Sequence, residues 1–247
     1  MTYCVALRLN RGLVFAADTR TNAGVDNIAQ FRKVHTWVLP GERVFVLLTA
    51  GNLSLTQSVV SLLNEQVAEA AEGDDAETPN LYNVPSMYRA ARHVGDAVRA
   101  IRAIDGAALE ATKTGFSGSF ILGGQIGKEP PRLFQIYSEG NFIEATEETP
   151  FFQIGEHKYG KPILDRVAQP TMRLGEGAKL VLLSFDSTLR SNLSVGMPID
   201  IVLYERDSLD LRRQKRIGQD DEYFKKLSAA WSDALRSAFT TIEEFNV

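Results

Sequence analysis

Thr2-Tyr3-Cys4-Val5-Ala6-Leu7-Arg8-Leu9, then Asn10-Arg11-Gly12, then Leu13-Val14-Phe15-Ala16-Ala17-Asp18 is the stretch that decides the fold. Two apolar, strand-forming runs flank a short turn with a glycine, the pattern of a β-hairpin. Such a hairpin returns the chain beside its own start and sets Asp18, at the end of the second strand, near Thr2. Thr2 stands directly behind Met1, and a methionine followed by a small residue is the usual substrate for methionine removal. An exposed Thr2 carries a hydroxyl and a free α-amine on one residue. The amine has an ordinary pKa of about 7.7–8.0, so near neutral pH much of it can accept a proton. That is a nucleophile with its own general base. Many chains begin Met-Thr, so the residues that follow have to carry the reading.

They run Ala17-Asp18-Thr19-Arg20-Thr21-Asn22-Ala23-Gly24, and later Phe31-Arg32-Lys33-Val34. Lys33 precedes another strand-like run, Val34-His35-Thr36-Trp37-Val38-Leu39. A lysine held by Asp18 places a positive charge beside the nucleophile. It lowers the cost of an alkoxide on Thr2 and keeps the neighbouring amine neutral.

This segment resembles the active-site region of proteasome β-type subunits. The resemblance rests on Ala-Asp-Thr-Arg, Gly24, Lys33-Val34 and Thr49-Ala50-Gly51 ahead of a helical stretch. It continues through Ile121-Leu122-Gly123-Gly124, the Gly155 block and Glu176-Gly177 to Ile199-Asp200-Ile201-Val202. It covers roughly residues 2–205. Within that family the chain is most similar to the bacterial ancestral β-subunit group, Anbu. The pointers are Ser191-Asn192-Leu193-Ser194-Val195-Gly196, the expected lack of a propeptide and a C-terminal extension.

The resemblance implies an α+β, four-layer αββα sandwich, the N-terminal-nucleophile hydrolase fold, with an additional C-terminal helix. It implies a hydrolase domain over residues 1–205 and a helical extension over 206–247. Thr2, Asp18 and Lys33 become the catalytic set, and Gly51 the backbone donor to the tetrahedral oxyanion. Thr21 and Thr49 line the pocket for the residue before the cut, and Arg20 is structural. Three positions depart from the usual pattern. Glu156 stands where a serine is usual, Asn192 where an aspartate is usual, and Val195 where a serine is usual, with Ser194 one step away. Glu156, Asn192 and Ser194 are therefore candidate modulators. If aligned, the Glu156 carboxylate lies near the Thr2 amine or pairs with a basic residue.

The implied activity is threonine-type peptide hydrolysis inside a self-compartmentalising homo-oligomer that takes a peptide or unfolded-protein substrate. The alternatives are an amidase of the same superfamily and a catalytically inert ring subunit. No cofactor is implied.

Periodicity divides the rest of the chain into strands, helices, strands, helices. Strands are expected over 34–39, 43–49, 119–125, 132–138 and 199–205. Helices are expected over 53–71, 85–109, 155–167, 176–193 and 220–239. Residues 206–216 read as a charged loop. This gives helices packed on strands and no more.

Composition excludes several classes. The chain has 247 residues, 44% hydrophobic and 23% charged, ordinary for a globular protein. A formal net charge of -4 does not favour nucleic acid. One cysteine, Cys4, excludes an intrachain disulfide and a multi-cysteine zinc site. His35, His93 and His157 lack metal-ligand spacing and read as surface or satisfied core residues. No apolar run approaches the roughly 20 residues of a membrane span. No charged, apolar leader precedes Thr2, so the expectation is a cytoplasmic protein. Gly123-Gly124-Gln125-Ile126-Gly127-Lys128 lacks the phosphate-loop spacing and leads to prolines. Gly115-Phe116-Ser117-Gly118 is not a nucleophile elbow.

Overall fold

In the computed structural model, which describes residues 2–23, 27–72, 78–111 and 117–246, the opening hairpin seeds one sheet. β1 (Tyr3–Leu9) and β2 (Gly12–Asp18) pair antiparallel, with Cys4 opposite Ala17 and Leu9 opposite Gly12. Gly12 has φ +141°, and a Cβ there would lie 1.9 Å from the Tyr204 carbonyl oxygen. Only glycine fits that approach.

The chain continues through the short ribbon β3 (Arg20–Ala23) and β4 (Asn27–Gln30), then β5 (Val34–Leu39) and β6 (Arg43–Gly51). Two long helices follow, α1 (Leu53–Glu72) and α2 (Met87–Ala111). Four strands come next: β7 (Gly118–Ile126), β8 (Arg132–Ile136), β9 (Phe142–Glu144) and β10 (Phe151–Gly155). Then come α3 (Lys161–Val167), α4 (Leu174–Ser191), β11 (Ile199–Glu205), β12 (Arg213–Ile217) and α5 (Glu222–Thr241). One five-stranded antiparallel sheet has the order β10-β1-β2-β11-β12, the other β5-β6-β7-β8-β9. The fold is therefore α+β with antiparallel sheets.

Side-chain alternation sorts the strands' residues into three apolar clusters. Tyr3, Val5 and Leu7 meet Leu180, Val181 and Phe185 of α4. From the opposite face of the first sheet, Ala6, Phe15 and Val202 meet Val46, Leu48 and Ile121 of the second. Phe45, Leu47 and Phe120 on the far face of the second sheet pack with Val59 of α1 and Val94 and Val98 of α2. Each such fully buried aliphatic or aromatic side chain contributes about 1.5–3 kcal/mol relative to exposure. Cluster membership explains why β2 reads as an unbroken apolar run: all seven of its residues are buried.

Two expectations need correction. Residues 155–167 are not one helix. Phe151–Gly155 is a strand pairing with β1 in the register Tyr3 opposite Gly155, and the helix begins only at Lys161. Gly155 has φ +80°, outside the helical region. Residues 206–216 are not all loop. Arg213–Ile217 adds β12 to the edge of the first sheet, with Ile199 opposite Ile217. Its four exposed polar residues hid it from an apolar-pattern search.

Helix α5 has a capped start, where Asp221 accepts from the Phe224 amide at 2.9 Å and from the Lys215 ammonium at 2.6 Å. Phe224 is buried against α4, and Arg190 of α4 donates to Ser228 at 2.8 Å. Its far half leaves Leu235 and Phe239 exposed, followed by Ile242 and Phe245. No helix among the described residues is long and apolar enough to cross a membrane.

Gly123 gives the contact between the sheets a sharp test. A Cβ on it would lie 2.6 Å from Cζ of Phe15 and 2.9 Å from Cδ1 of Leu133. Gly123→Ala should overpack this layer and cost about 1–3 kcal/mol, read as a lower urea midpoint with an unchanged slope. An unchanged midpoint would mean that the Phe15 ring moves aside freely.

Candidate active site

The hairpin delivers Asp18, fully buried, to the start of β1, and its carboxylate accepts three hydrogen bonds. Oδ1 takes the Tyr3 amide at 3.0 Å and the Lys33 ammonium at 2.7 Å, and Oδ2 takes the Gly196 amide at 3.3 Å. Burial pushes the Asp18 carboxyl above the ordinary range, opposed by Lys33 and the two amides. Lys33 is also buried, and its ammonium donates to the Arg20 carbonyl at 2.6 Å. One lysine thus ties β2, β3 and the approach to β5 together. The Cys4 thiol lies in the same layer, its pKa raised by burial, and it donates to the Thr49 carbonyl at 3.5 Å.

Thr2, Thr21, Lys33, Thr49 and Gly51 line one small pocket of about 30 Å³. Of the expected catalytic, oxyanion and pocket residues, Asp18 alone does not line this pocket and lies behind Lys33 at 2.7 Å. Strand geometry orients Gly51. The Thr49 amide donates to the Lys33 carbonyl at 3.0 Å. The amide two residues on points to the same side of β6, beyond the start of β5. There it faces the pocket. Gly51 has φ +109°, and a Cβ would sit 2.3 Å from the Ser117 carbonyl oxygen. Asn52 then caps α1, its side chain accepting from the Leu55 amide at 3.1 Å. The glycine is thus both a strand-to-helix turn and an amide aimed at the pocket.

Glu156, Asn192 and Ser194 form a connected support on the other side of Thr2. The Glu156 amide donates to the Thr2 carbonyl at 2.6 Å. Its buried carboxylate accepts from the His157 amide at 2.8 Å, the Lys158 amide at 2.7 Å and the Asn192 side chain at 2.7 Å. None of these three donors is a basic side chain. Burial raises the Glu156 carboxyl, but the three donors outweigh it and hold it below the ordinary glutamate range. Asn192 Oδ1 accepts from the Ser194 amide at 2.9 Å. Two residues on, Gly196 reaches Asp18. A closed ring of hydrogen bonds therefore runs from Thr2 through Glu156, Asn192, the 194–196 segment and Asp18 back to Tyr3. Arg20 braces the same segment, donating to the Leu193 carbonyl at 2.9 Å. A Cβ on Gly196 would lie 2.2 Å from Arg20 Nε. Gly24 of the sequence motif lies outside the described residues, as do Gly115 and Phe116.

No family model matches the chain, and no curated protein does. Solved structures do. "Anbu (Gly-1) mutant" from Hyphomicrobium sp. strain MC1 is 68% identical over 100% of both chains, with a TM-score of 0.92. "Anbu (ancestral beta-subunit)" from Yersinia bercovieri is 48% identical over 99% of both, with a TM-score of 0.91. "Helical Assembly of the Anbu Complex" from Pseudomonas aeruginosa is also 48% identical, covering 99% of this chain and 98% of that one, at 0.92. The chain belongs to the Anbu family.

Sequence reading missed Gly196, His35, Arg32, Thr56 and Gln57 in this Anbu-family site. Gly196 appears in a family motif, but nothing in the sequence marks its amide as a donor to Asp18. His35, read as a surface or core histidine, lines the pocket with Arg32, Thr56 and Gln57. Alternation along β5 from the buried Val34 was the signal available. Burial, helped by the Arg32 charge, lowers the His35 pKa to about 4. The unfolded chain takes up this proton near pH 6.5, while the folded chain resists it until about pH 4. Between those values protons favour the unfolded state. This contribution is therefore complete above pH 6.5 and lost as pH falls through 4. Urea midpoints of wild type should fall more steeply from pH 7 to 4.5 than those of His35→Asn. Parallel curves would place the His35 ring in ordinary solvent.

Proposed function

We propose that this chain is a threonine-type peptidase subunit of a self-compartmentalising, proteasome-like assembly. The reading takes the αββα N-terminal-nucleophile fold for its frame and places the protein in the cytoplasm. The observation that carries it is Lys33, on the wall of the pocket that Thr2 also lines, held from behind by buried Asp18.

With Met1 removed, the Thr2 α-amine takes the proton from its own hydroxyl, through a water, as Oγ attacks the peptide carbonyl carbon. Lys33 stabilises the negative charge gathering on Oγ, and Asp18 holds Lys33 in place. The Gly51 amide meets the oxyanion. Collapse breaks the C–N bond, the leaving amine takes the proton, and an ester on Thr2 remains. Water, deprotonated by the same α-amine, then adds to the ester carbonyl, and the C–O bond to Thr2 breaks. The acid is released and the hydroxyl regains its proton. The pocket volume of about 30 Å³ favours a short side chain before the cut. It equally supports a second reading, an amidase for a small amide.

Homo-oligomerisation is part of the proposal. A helical assembly is named for the Pseudomonas aeruginosa relative, and the far half of α5 exposes the apolar side chains that a neighbouring copy would cover. Light scattering at micromolar concentration should give a mass well above the 27.3 kDa chain. A monomer would refute assembly.

Intact mass after exposure to a peptide vinyl sulfone tests the nucleophile. Only protein lacking Met1 should gain the adduct, because an amide-bonded Thr2 nitrogen is no base. Thr2→Ala should gain none. Lys33→Ala should label on the order of 100–1,000-fold more slowly, and its buried, unpaired Asp18 should cost about 3–5 kcal/mol of stability. Wild-type labelling by folded Lys33→Ala would remove Lys33 from the mechanism.

A further inference from the structure

The walls of the Thr2 pocket mix polar and apolar surface, and two polar groups in them have no partner among the described residues. Among the described residues, buried Thr21 Oγ1 has no hydrogen-bond partner. Arg32 is exposed where the rim of this pocket adjoins a second cavity lined by Asp200 and Arg216, and among the described residues its guanidinium has no hydrogen bond or ion pair. The other cation, Lys33, is already taken by Asp18 and the Arg20 carbonyl. His35 stands close enough to Arg32 to feel its charge, which sets that charge beside the pocket. Thr56 spends its hydroxyl on the Leu53 carbonyl at 3.1 Å. Leu53 and Ala50 are the apolar side chains of the wall. A leucine or phenylalanine placed here would leave the Thr21 hydroxyl unsatisfied. Burying an unsatisfied hydroxyl is unfavourable. Both unpartnered groups can donate, so the complementary occupant accepts hydrogen bonds and carries negative charge.

We propose that this pocket recognises a short carboxylate side chain, aspartate before glutamate, on the substrate residue that carries the cleaved carbonyl. Arg32 meets the carboxylate at the rim, and the Thr21 hydroxyl donates to it from within. The small volume sets the preference for the shorter acid. Arg32 is the specificity-determining residue, and its planar, two-pronged donor suits a carboxylate. The proposal rests on the reading of Thr2 as the nucleophile, and its test separates the two.

Met1-free protein is exposed to otherwise identical peptide vinyl sulfones bearing Asp, Asn, Glu, Leu or Lys beside the electrophile, and labelling rates are read by intact mass. The Asp probe should react at least about tenfold faster than Asn, the size of one charge-assisted hydrogen bond lost, and faster than Glu. Arg32→Ala should collapse the Asp-to-Asn ratio toward one, and Arg32→Glu should favour Lys over Asp. In parallel, Thr2→Ala is titrated with peptides ending in Asp, Asn or Leu amide, which reads recognition without chemistry. Labelling that ignores side-chain charge, or an Asp-to-Asn ratio unmoved in Arg32→Ala, overturns the acidic preference and leaves the nucleophile intact. If no probe labels but Thr2→Ala still prefers Asp through Arg32, the nucleophile fails and the recognition site stands. Equal binding of the three peptides together with no labelling overturns both.

Discussion

A charged carboxylate with no access to water is the constraint on which this structure turns. Asp18 is fully buried at the end of β2, and moving an isolated carboxylate there is prohibitive. It persists because Lys33 and the amides of Tyr3 and Gly196 converge on it. Those three donors come from β1, the entry to β5 and the turn after α4. The ion pair itself is weak evidence of stability, since desolvating both charges offsets much of their attraction. Its structural consequence is geometric. Each donor segment must occupy one position for the charge to be satisfied, and Thr2 is the residue next to Tyr3.

The second support has the same logic with the roles inverted. Among the described residues the Glu156 carboxyl group accepts from three donors and donates to none. An amide side chain there would turn its own N–H groups toward other N–H groups. The residue therefore has to be a carboxylate, and Asn192 has to offer its nitrogen toward Glu156 and its oxygen toward Ser194. Glu156 and Asn192 are thus matched to one another. Gly155 completes the fit: with φ +80°, a Cβ there would lie 2.1 Å from the Thr2 carbonyl oxygen. Close backbone contact holds Thr2 from one side and the Asp18 hub from the other.

The C-terminal helix divides between two tasks. Its first turns belong to the subunit, where Phe224 fills the α4 cluster and Ser228 meets Arg190. The same turns flank the groove formed by Val195, Gly196 and Met197, the segment that props Asp18. Its last turns offer apolar side chains to solvent. Beyond Phe224 this helix thus has little core of its own, although its sequence is amphipathic throughout.

Local elements and their order follow from the residues alone. Hairpin, long helices and strands are legible because burial on one face imposes a period on neighbouring residues, and because Gly12, Pro40-Gly41 and Asn52 carry turn or cap chemistry. The sequence also held the candidate residues Thr2, Asp18, Lys33, Thr21, Thr49 and Gly51, through family motif and hairpin logic. Short strands with exposed polar residues, such as Arg213–Ile217, escaped because they carry no apolar period, and Phe151–Gly155 was hidden behind the helical reading of 155–167. Which groups share a pocket, and which donors lack partners among the described residues, is set by contacts between distant parts of the chain. That Gly196 serves Asp18 across 178 residues of chain, that Glu156 is satisfied by amides, and that Arg32 and Thr21 line one pocket without a partner among the described residues are facts about distance. Hydrogen bonds and charge pairs act over a few ångströms in space, and a one-dimensional pattern records only neighbours along the chain.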